Sequence, residues 1–261
     1  MAEDVVLLDT TREGVAVVTL NRPELHNAFN ASVIEDLSDA FADLAKQDGV
    51  RVVILEGKGK CFSAGADIEW MRAAGSYTLA ENREDAQAFA VMLHRLRVLP
   101  QASVAVVHGP AIAGGTGLVA ACDIAIATPK AMFGLTEVRL GLIPAVVSPY
   151  VIEAIGPRAA RRYFLTGEKF GPDEAYRLGL VHSVVPDMDA LAAETERIVS
   201  ALLEGAPGAI RDSKRLLDRV APLTDELRNE TARAIAERRA SAEGKEGLLA
   251  FLEKRKPKWA Q

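Results

Sequence analysis

The sequence predicts an α/β fold followed by an all-helical region, and three observations support this. Short apolar runs typical of buried strands alternate with helical periods up to about residue 185. Two of these runs lead through segments that contain many small residues, at residues 60–68 and 109–117, into helical patterns. After Asp189 the strand-like runs disappear, and the chain continues in helical patterns rich in Ala, Leu, Arg and Glu.

Turn and cap residues separate the predicted elements of the first hundred residues. A turn at residues 12–14 joins the first two strand-like runs into a hairpin. Pro23 breaks the second of them, because proline fixes φ and lacks an N–H. Asn30 offers an N-cap to a helix, and Pro100 ends a later one. The predicted elements are strands at 5–8, 15–20 and 52–56 and helices at 31–47, 69–72 and 82–99.

The remaining elements follow from the same periodicities. The segment at residues 109–117 consists mostly of glycine and alanine and is predicted as a loop. The other predicted elements are strands at 103–108, 123–128 and 181–185 and helices at 118–122, 143–155, 157–166, 172–178, 190–203, 207–219 and 223–242. We divide the chain into a core at residues 1–199 and a helical region at residues 200–261. The second region is too small to bury its own apolar faces, so we expect it to pack on the core or on another subunit.

Composition and charge exclude several classes of function. The 261 residues carry a formal net charge of −5, whereas binding of phosphate backbones needs a basic surface, so we expect no nucleic-acid partner. Cys61 and Cys122 are too few for a disulfide framework or a zinc site, and we expect free thiols and no metal centre. The N-terminus has no signal-peptide pattern, and no apolar run reaches membrane-spanning length. We therefore expect a cytoplasmic protein with no membrane partner.

The two segments of small residues have the same context, in which an apolar strand leads through a Gly/Ala-rich corner to a helix. Small side chains leave backbone N–H groups open to a ligand, and a helix N-terminus adds unpaired donors and a partial positive charge. Donors from two such corners can converge on one oxygen and stabilise an enolate or a tetrahedral oxyanion. A thioester carbonyl suits such a site. For either segment alone, an ordinary strand-to-helix turn is the alternative.

Three spaced motifs give the chain a resemblance to a known family. The first is Asn-Arg-Pro-Glu-Leu-His-Asn-Ala-Phe at residues 21–29, and the second is Phe-Ser-Ala-Gly-Ala-Asp-Ile at residues 62–68. The third is the stretch at 109–123 followed by Phe133, Gly134 and Glu137. These motifs resemble those of the crotonase superfamily, the enoyl-CoA hydratase/isomerase group. The resemblance runs from about residue 10 to the C-terminus.

The resemblance implies a fold, a substrate and residue roles. The fold would be an α/β crotonase (ClpP-like) spiral of ββα units with a C-terminal helical region that builds a homotrimer or a dimer of trimers. The substrate would be an acyl-CoA thioester, so coenzyme A would be part of the substrate and no separate cofactor is implied. The N–H groups of Ala66 and Gly114 would form an oxyanion hole, and Glu137 would transfer protons. The residues implied along the path of CoA are Leu25, His26, Ala28, Ala64, Ala66, Asp67 and Ile68.

The chain departs from the family pattern in two places. Hydratases with two glutamates carry the second one three residues after the glycine of the oxyanion hole, and Gly117 stands there. The glycine-rich run that usually follows Ile143 and Pro144 is replaced by Ala-Val-Val-Ser-Pro at 145–149, which we expect to reshape the acyl pocket. With the tail at 246–255, these features most resemble methylglutaconyl-CoA hydratase-like members. They imply hydration of a branched glutaconyl-CoA type of substrate.

Three other functions stay open at this point. An enoyl-CoA double-bond isomerase could use Glu137 as a single proton shuttle, and a non-catalytic crotonase-fold scaffold would also tolerate Gly117. The run from Gly115 to Ala120 matches the dinucleotide-binding pattern G-x-G-x-x-A. The loop before it is too long for the tight strand-to-helix turn that this pattern needs.

Several single residues have structural alternatives. We expect Asp67 to cap a helix rather than bind a ligand. Cys61 has no base near it in the sequence and is not expected to be a nucleophile. Trp70, Met71 and Tyr77 either shape the acyl pocket or pack in the core. The tail cations Lys254, Arg255, Lys256 and Lys258 are expected to be solvated, with a lysine contact to the CoA phosphates as the alternative.

Overall fold

The computed structural model describes residues 4–74 and 77–220, and beyond them residues 242, 246, 253 and 255–258. Of the helix predicted at 223–242 only residue 242 lies within the described part, and Lys254 lies outside it. None of the described helices has the length and apolar character that crossing a membrane requires.

The strands of the described residues form two sheets. The larger sheet has the order β1-β2-β3-β4-β6-β9, and the smaller has the order β5-β7-β8. In the larger sheet β1 and β2 are antiparallel, which confirms the predicted hairpin, and all other pairs are parallel. The strands are β1 (Val6–Asp9), β2 (Val15–Leu20), β3 (Val52–Gly57), β4 (Ala102–Val107), β5 (Ala111–Ile112), β6 (Ile124–Ala127), β7 (Phe133–Gly134), β8 (Lys169–Phe170) and β9 (Ser183–Val184).

The helices follow their predicted caps and periods. Val33 N donates to the side chain of Asn30 at 3.0 Å, so Asn30 caps the first helix as predicted. Thr78 and Glu81 form a capping box at the start of the third helix. The helices are α1 (Ala31–Leu44), α2 (Ile68–Ala74), α3 (Leu79–Arg97), α4 (Gly114–Ala121), α5 (Ser148–Thr166), α6 (Pro172–Leu178), α7 (Met188–Glu204) and α8 (Pro207–Leu217).

Alternate residues of the central strands face two clusters of the core. Val53 of β3 packs in the larger cluster, which also holds the buried side chains of α1, α3 and α4. Ile54, the next residue, packs in a second cluster with Leu191 and Val199 of α7. Parallel strands that are covered on both faces need apolar residues at every position. This explains why these runs are continuously apolar in the sequence.

Two predicted boundaries are wrong. Helix α4 begins at Gly114 rather than at residue 118, so part of the predicted glycine loop is its first turn. A Cβ added at Gly115 would lie 2.7 Å from the Ser63 carbonyl oxygen, so glycine here serves close packing of a helix rather than a loop. The helix predicted to begin at residue 143 begins at Ser148 instead, while the predicted break between the helices at 143–155 and 157–166 is confirmed by a kink at Gly156 within α5.

Helix α7 runs through residues 199 and 200, and its side chains Leu191 and Val199 are part of the core. The division of the chain into residues 1–199 and 200–261, and the role of the second region in oligomerisation, stay predictions.

A buried polar network attaches α8 to the sheet. The Asp123 carboxylate oxygen Oδ2 accepts hydrogen bonds from Ser103 N at 2.7 Å and from Ser103 Oγ at 2.8 Å. Lys214 Nζ of α8 donates to the same oxygen at 2.7 Å and to the Gln101 carbonyl oxygen at 2.8 Å. The side chains of Lys214 and Asp123 are 12% and 20% exposed, so this ion pair is shielded from solvent.

We expect Lys214→Met to lower the free energy of unfolding by about 1–3 kcal/mol, because it leaves the Asp123 carboxylate without its cation. The matched control is Lys46→Met. Lys46 pairs with Asp43 on the surface, where both side chains are more than half exposed, and its loss should cost about 0.5 kcal/mol or less. Urea denaturation measures both variants. An equal cost for the two would show that the shielded Asp123 carboxylate does not need Lys214 as its cation.

Candidate active site

The first and second motifs lie side by side through main-chain hydrogen bonds. Phe29 N donates to the Gly65 carbonyl oxygen at 2.7 Å, and Asp67 N donates to the Phe29 carbonyl oxygen at 2.8 Å. Ala64 N donates to the His26 carbonyl oxygen at 2.9 Å. Residues 26–29 therefore lie along one side of the segment that contains Ala66.

The third motif pairs with the other end of the second motif. Ser63 N donates to the Pro110 carbonyl oxygen at 3.0 Å, and Ile112 N donates to the Ser63 carbonyl oxygen at 2.9 Å. Residues 63–67 thus lie between the other two motifs, and the three motifs form one site. The sequence predicted this convergence for the two segments of small residues.

Gly65 brings the second and third motifs into direct contact. Its φ is +93°, and an added Cβ would lie 3.0 Å from the Ile112 carbonyl oxygen and 3.2 Å from Ala113 Cβ. Both features exclude a larger residue there. Ala66 follows Gly65 and Gly114 follows Ala113, so this contact lies directly before the two predicted donors.

The N–H groups of Ala66 and Gly114 are available to a ligand. Gly114 is the first residue of α4, where a helix has no acceptor for its own N–H. Ala113 before it has φ +51°, which is uncommon for a residue other than glycine and orients the peptide that carries this N–H. Within the described part of the chain, neither N–H donates to a protein acceptor.

Aromatic rings cover Gly114. A Cβ there would lie 2.9 Å from Phe29 Cε2 and 3.0 Å from Phe89 Cζ, and the two ring centroids are 5.5 Å apart. Phe89 belongs to α3, whose position is also fixed by a 3.0 Å hydrogen bond from Trp70 Nε1 to the carboxylate of Asp85. The rings thus pack against the Gly114 main chain, and a hydrogen bond in such apolar surroundings is stronger than in water.

The chain that leads to Glu137 is hydrogen-bonded to the start of α4. The Gly134 carbonyl oxygen of β7 accepts hydrogen bonds from Ala113 N at 2.7 Å and from Thr116 Oγ1 at 3.2 Å. Three residues later, Glu137 begins a 3₁₀ turn that spans Glu137–Leu140. Its Oε2 atom is buried and meets no hydrogen-bond partner in the described residues. Burial raises the pKa of the Glu137 carboxyl above its ordinary value, which favours the protonated form.

Val147 occupies the space that a side chain at position 117 would need. A Cβ added at Gly117 would lie 2.3 Å from Val147 Cγ1 and 2.9 Å from Val147 Cβ. Val147 is buried and directly precedes α5, which packs against α4. The two departures from the family pattern, at Gly117 and in the run 145–149, are therefore in contact. Val147 thus fills the volume in which the pattern of hydratases with two glutamates would place the second one.

The residues implied along the path of CoA differ in their exposure. Leu25 and Ile68 are 46% and 68% exposed, and His26 and Ala64 are exposed beside them. Ala28 and Asp67 are buried. These positions are brought together by the pairing of the first two motifs, and contact with CoA stays a prediction.

Asp67 caps α2, as predicted. Its Oδ1 accepts hydrogen bonds from Glu69 N at 2.8 Å and from Trp70 N at 3.4 Å, and its Oδ2 accepts one from Arg22 Nη2 at 3.0 Å. Both carboxylate oxygens are thus engaged by the protein.

The structure weakens two of the alternatives. Burial raises the pKa of the Cys61 thiol, which disfavours the thiolate that a nucleophile would need. Gly115 and Gly117 pack against Ser63 and Val147, so these glycines are not open to a dinucleotide phosphate. In the tail, Arg255 pairs with Glu246 at 2.7 Å and with Glu253 at 2.6 Å, and the predicted lysine contact with CoA is not tested by this arrangement.

Sequence reasoning missed three residues of the site: Arg22, Asn27 and Val147. Arg22 and Asn27 are polar residues of the first motif, and Asn27 is buried. A buried polar residue must find partners, but the sequence does not show which. Val147 was noted only as part of an altered run, because its contact with Gly117 joins positions thirty residues apart.

The buried carboxyl of Glu137 leads to a prediction about stability and pH. Because its pKa is raised in the folded protein, the stability linked to its protonation is present in acid and is lost as the pH rises through the raised pKa of the folded state. The neutral amide of Glu137→Gln does not lose it. We expect the melting temperature of this variant, relative to the unsubstituted protein, to rise between about pH 4 and pH 8.

Thermal unfolding across this pH range measures the difference. Glu13→Gln is the control, because Glu13 is exposed in the hairpin turn and should give a flat difference. A flat difference for Glu137→Gln as well would contradict the raised pKa.

The contact between Gly117 and Val147 leads to a second prediction. Gly117→Ala should cost about 1–3 kcal/mol of stability, because its Cβ overlaps Val147. Gly49→Ala is the control, since an added Cβ there meets nothing within 4 Å. Val147→Ala combined with Gly117→Ala should cost less than the sum of the two single changes, by at least about 0.5 kcal/mol. Additive costs in denaturant unfolding would show that the two residues do not share this space.

Known proteins resemble this chain over almost its whole length. The family model described as enoyl-CoA hydratase/isomerase matches residues 10–261. Among solved structures, Pseudomonas aeruginosa AtuE is 40% identical, with a TM-score of 0.94 over 98% of this chain and 100% of that one.

Two solved enoyl-CoA hydratases give the same result. The enzyme of Shewanella pealeana is 38% identical, with a TM-score of 0.94 over 98% of this chain and 96% of that one. The enzyme of Mycobacterium smegmatis is 33% identical, with a TM-score of 0.93 over 99% of this chain and 100% of that one. The α/β crotonase fold that the three motifs imply is thereby confirmed. The chain belongs to the enoyl-CoA hydratase/isomerase family.

Proposed function

We propose that the protein is an enzyme that adds water to the double bond of a 2-enoyl-CoA thioester. The observation that carries this proposal is the meeting of the two motifs whose N–H groups lack a protein acceptor in the described residues, at Ala66 and Gly114, together with a partly buried carboxyl at Glu137 on the chain that follows Gly134. Membership of the enoyl-CoA hydratase/isomerase family supports it.

The two N–H groups would bind the thioester carbonyl oxygen. When an oxygen nucleophile adds to the β-carbon, electron density moves through the double bond to this carbonyl, which becomes an enolate. Two donors aimed at the oxygen stabilise the enolate, and loss of one such donor typically raises a barrier by about 2.7–4 kcal/mol. Their orientation costs nothing during the reaction, because main-chain pairing already fixes both segments.

Glu137 would carry out both proton transfers in turn. As carboxylate it takes one proton from water while the water oxygen bonds to the β-carbon. As carboxylic acid it then gives a proton to the α-carbon, which collapses the enolate and returns the carboxylate. The net change is addition of one water molecule. A raised pKa brings the two protonation states closer in energy near neutral pH, which suits a group that must act as base and then as acid.

We propose that the substrate is of the branched glutaconyl-CoA type and that its CoA portion is held along Leu25, His26, Ala64 and Ile68. Coenzyme A enters as part of the substrate, so the reaction uses no separate cofactor. Val147 at the position of a second carboxylate supports a pocket that differs from that of hydratases with two glutamates. We further propose a cytoplasmic enzyme that assembles as a homotrimer or a dimer of trimers.

The contact of Val147 with Gly117 also favours a second candidate, an enoyl-CoA double-bond isomerase. With Val147 in the space of a second glutamate, Glu137 is the acid/base group that the motifs supply. A single carboxylate can carry a proton from one carbon of the acyl chain to another. No water is consumed in that reaction.

The experiment is turnover of a panel of acyl-CoA esters, straight-chain 2-enoyl and branched glutaconyl types included, in ¹⁸O-labelled water. Incorporation of ¹⁸O into the acyl chain supports hydration, and migration of the double bond without ¹⁸O supports isomerisation. We expect Glu137→Gln to lower kcat by at least about 100-fold with a retained fold. Glu13→Gln should keep full activity. Turnover near that of the unsubstituted enzyme in Glu137→Gln would overturn both assignments.

A further inference from the structure

We propose that Arg22 and Asn27 are positioning residues that set the direction of the Ala66 N–H, the oxyanion donor of the second motif. This inference rests on the proposed function. Neither side chain needs to touch the substrate, since both act on the chain segments that carry the donor.

The residues on both sides of Ala66 are fixed. The Gly65 carbonyl oxygen accepts from Phe29 N at 2.7 Å, and Asp67 N donates to the Phe29 carbonyl oxygen at 2.8 Å. The peptide that carries the Ala66 N–H therefore follows any movement of Phe29 or Asp67.

Arg22 holds both of these anchors at once. Its Nη1 donates to the Ala28 carbonyl oxygen at 2.7 Å, and its Nη2 donates to Asp67 Oδ2 at 3.0 Å. The side chains of Arg22 and Asp67 are each 11% exposed. One planar guanidinium thus joins the residue before Phe29 to the residue after Ala66. A lysine has no such pair of donors in a fixed fork.

Asn27 fixes Arg22 from the other side. Its Oδ1 accepts from Arg22 N at 2.9 Å, and its Nδ2 donates to the carbonyl oxygens of Lys58 and Cys61, each at 2.8 Å. Ser63 Oγ donates to the Asn27 carbonyl oxygen at 2.9 Å. Asn27 is 1% exposed, has φ +54°, and uses its whole amide within the protein. It therefore holds the chain that leads into the second motif.

The charge state of Asp67 agrees with this arrangement. Burial alone would raise the pKa of this carboxyl, but hydrogen bonds from Glu69 N and Arg22 outweigh it and hold the pKa below its ordinary value. A buried ion pair is a weak source of stability, because desolvation of both charges offsets their attraction. Two charges retained beside a donor are better explained by the geometry that they impose.

The test measures the bound carbonyl directly. A saturated acyl-CoA thioester with ¹³C at the carbonyl is bound to the enzyme, and its C=O stretching frequency is recorded by difference infrared spectroscopy. Hydrogen bonds from an oxyanion hole lower this frequency. The variants are Arg22→Lys, Arg22→Met and Asp67→Asn. The controls are Arg12→Lys and Arg12→Met, because Arg12 forms a surface ion pair with Glu196 at 2.6 Å.

We expect the Arg22 variants to lose much of the frequency shift and about 10–100-fold in kcat, while the affinity for free CoA changes less than about threefold. The Arg12 variants should keep both the shift and kcat. Asp67→Asn keeps an acceptor for the α2 cap and is the mildest change, so it gives the comparison if an Arg22 variant does not fold.

Three results would contradict different parts of this argument. A full shift in folded Arg22 and Asp67 variants would overturn the positioning role and leave the proposed function standing. No shift in the unsubstituted enzyme would overturn the oxyanion hole itself. A loss of CoA affinity equal to the loss of kcat would place Arg22 in CoA binding instead, and would also overturn the inference.

Discussion

Main-chain pairing of the segment at residues 63–67 with its two neighbours is the interaction on which the site depends. One side of this segment pairs with Phe29, and the other end pairs with Ala111 at the start of β5. Main-chain hydrogen bonds tolerate little displacement, since they weaken steeply with distance and angle. Because the same pairs that close the fold also place Ala66 and Gly114, the geometry of the site is a property of the core rather than of a mobile loop.

Close packing of small residues is the second constraint, and it decides the chemistry that the site can hold. At Gly65 and Gly114 there is no room for a Cβ because a neighbouring segment or ring occupies the space, so the two segments that carry the predicted donors can approach closely. At Gly117 the occupant is Val147, so the same tight packing removes a possible second carboxylate. The residue at position 117 and the start of α5 therefore constrain each other.

The polar side chains of the site differ in whether they have hydrogen-bond partners within the protein, and this difference separates their roles. Arg22, Asn27 and Asp67 meet protein partners with their side-chain atoms, and such groups stiffen a structure. Glu137 has a buried oxygen without a partner in the described residues, which leaves it free to exchange a proton and costs stability when it is charged.

The sequence by itself determined the α/β class, the order of the helices and of the strands of the larger sheet, and the three motifs that carry the site, whereas no sequence signal predicted the short strands β5, β7 and β8. Local signals suffice for the features that it determined, because caps, prolines and hydrophobic periods act over a few residues. Only the tertiary structure decided that Gly114 starts a helix, that Val147 fills the place of residue 117, and that Arg22 bridges Ala28 and Asp67. The physical reason is that each of these depends on a contact between residues distant in the chain, and side-chain packing and burial set such contacts only after the elements have assembled.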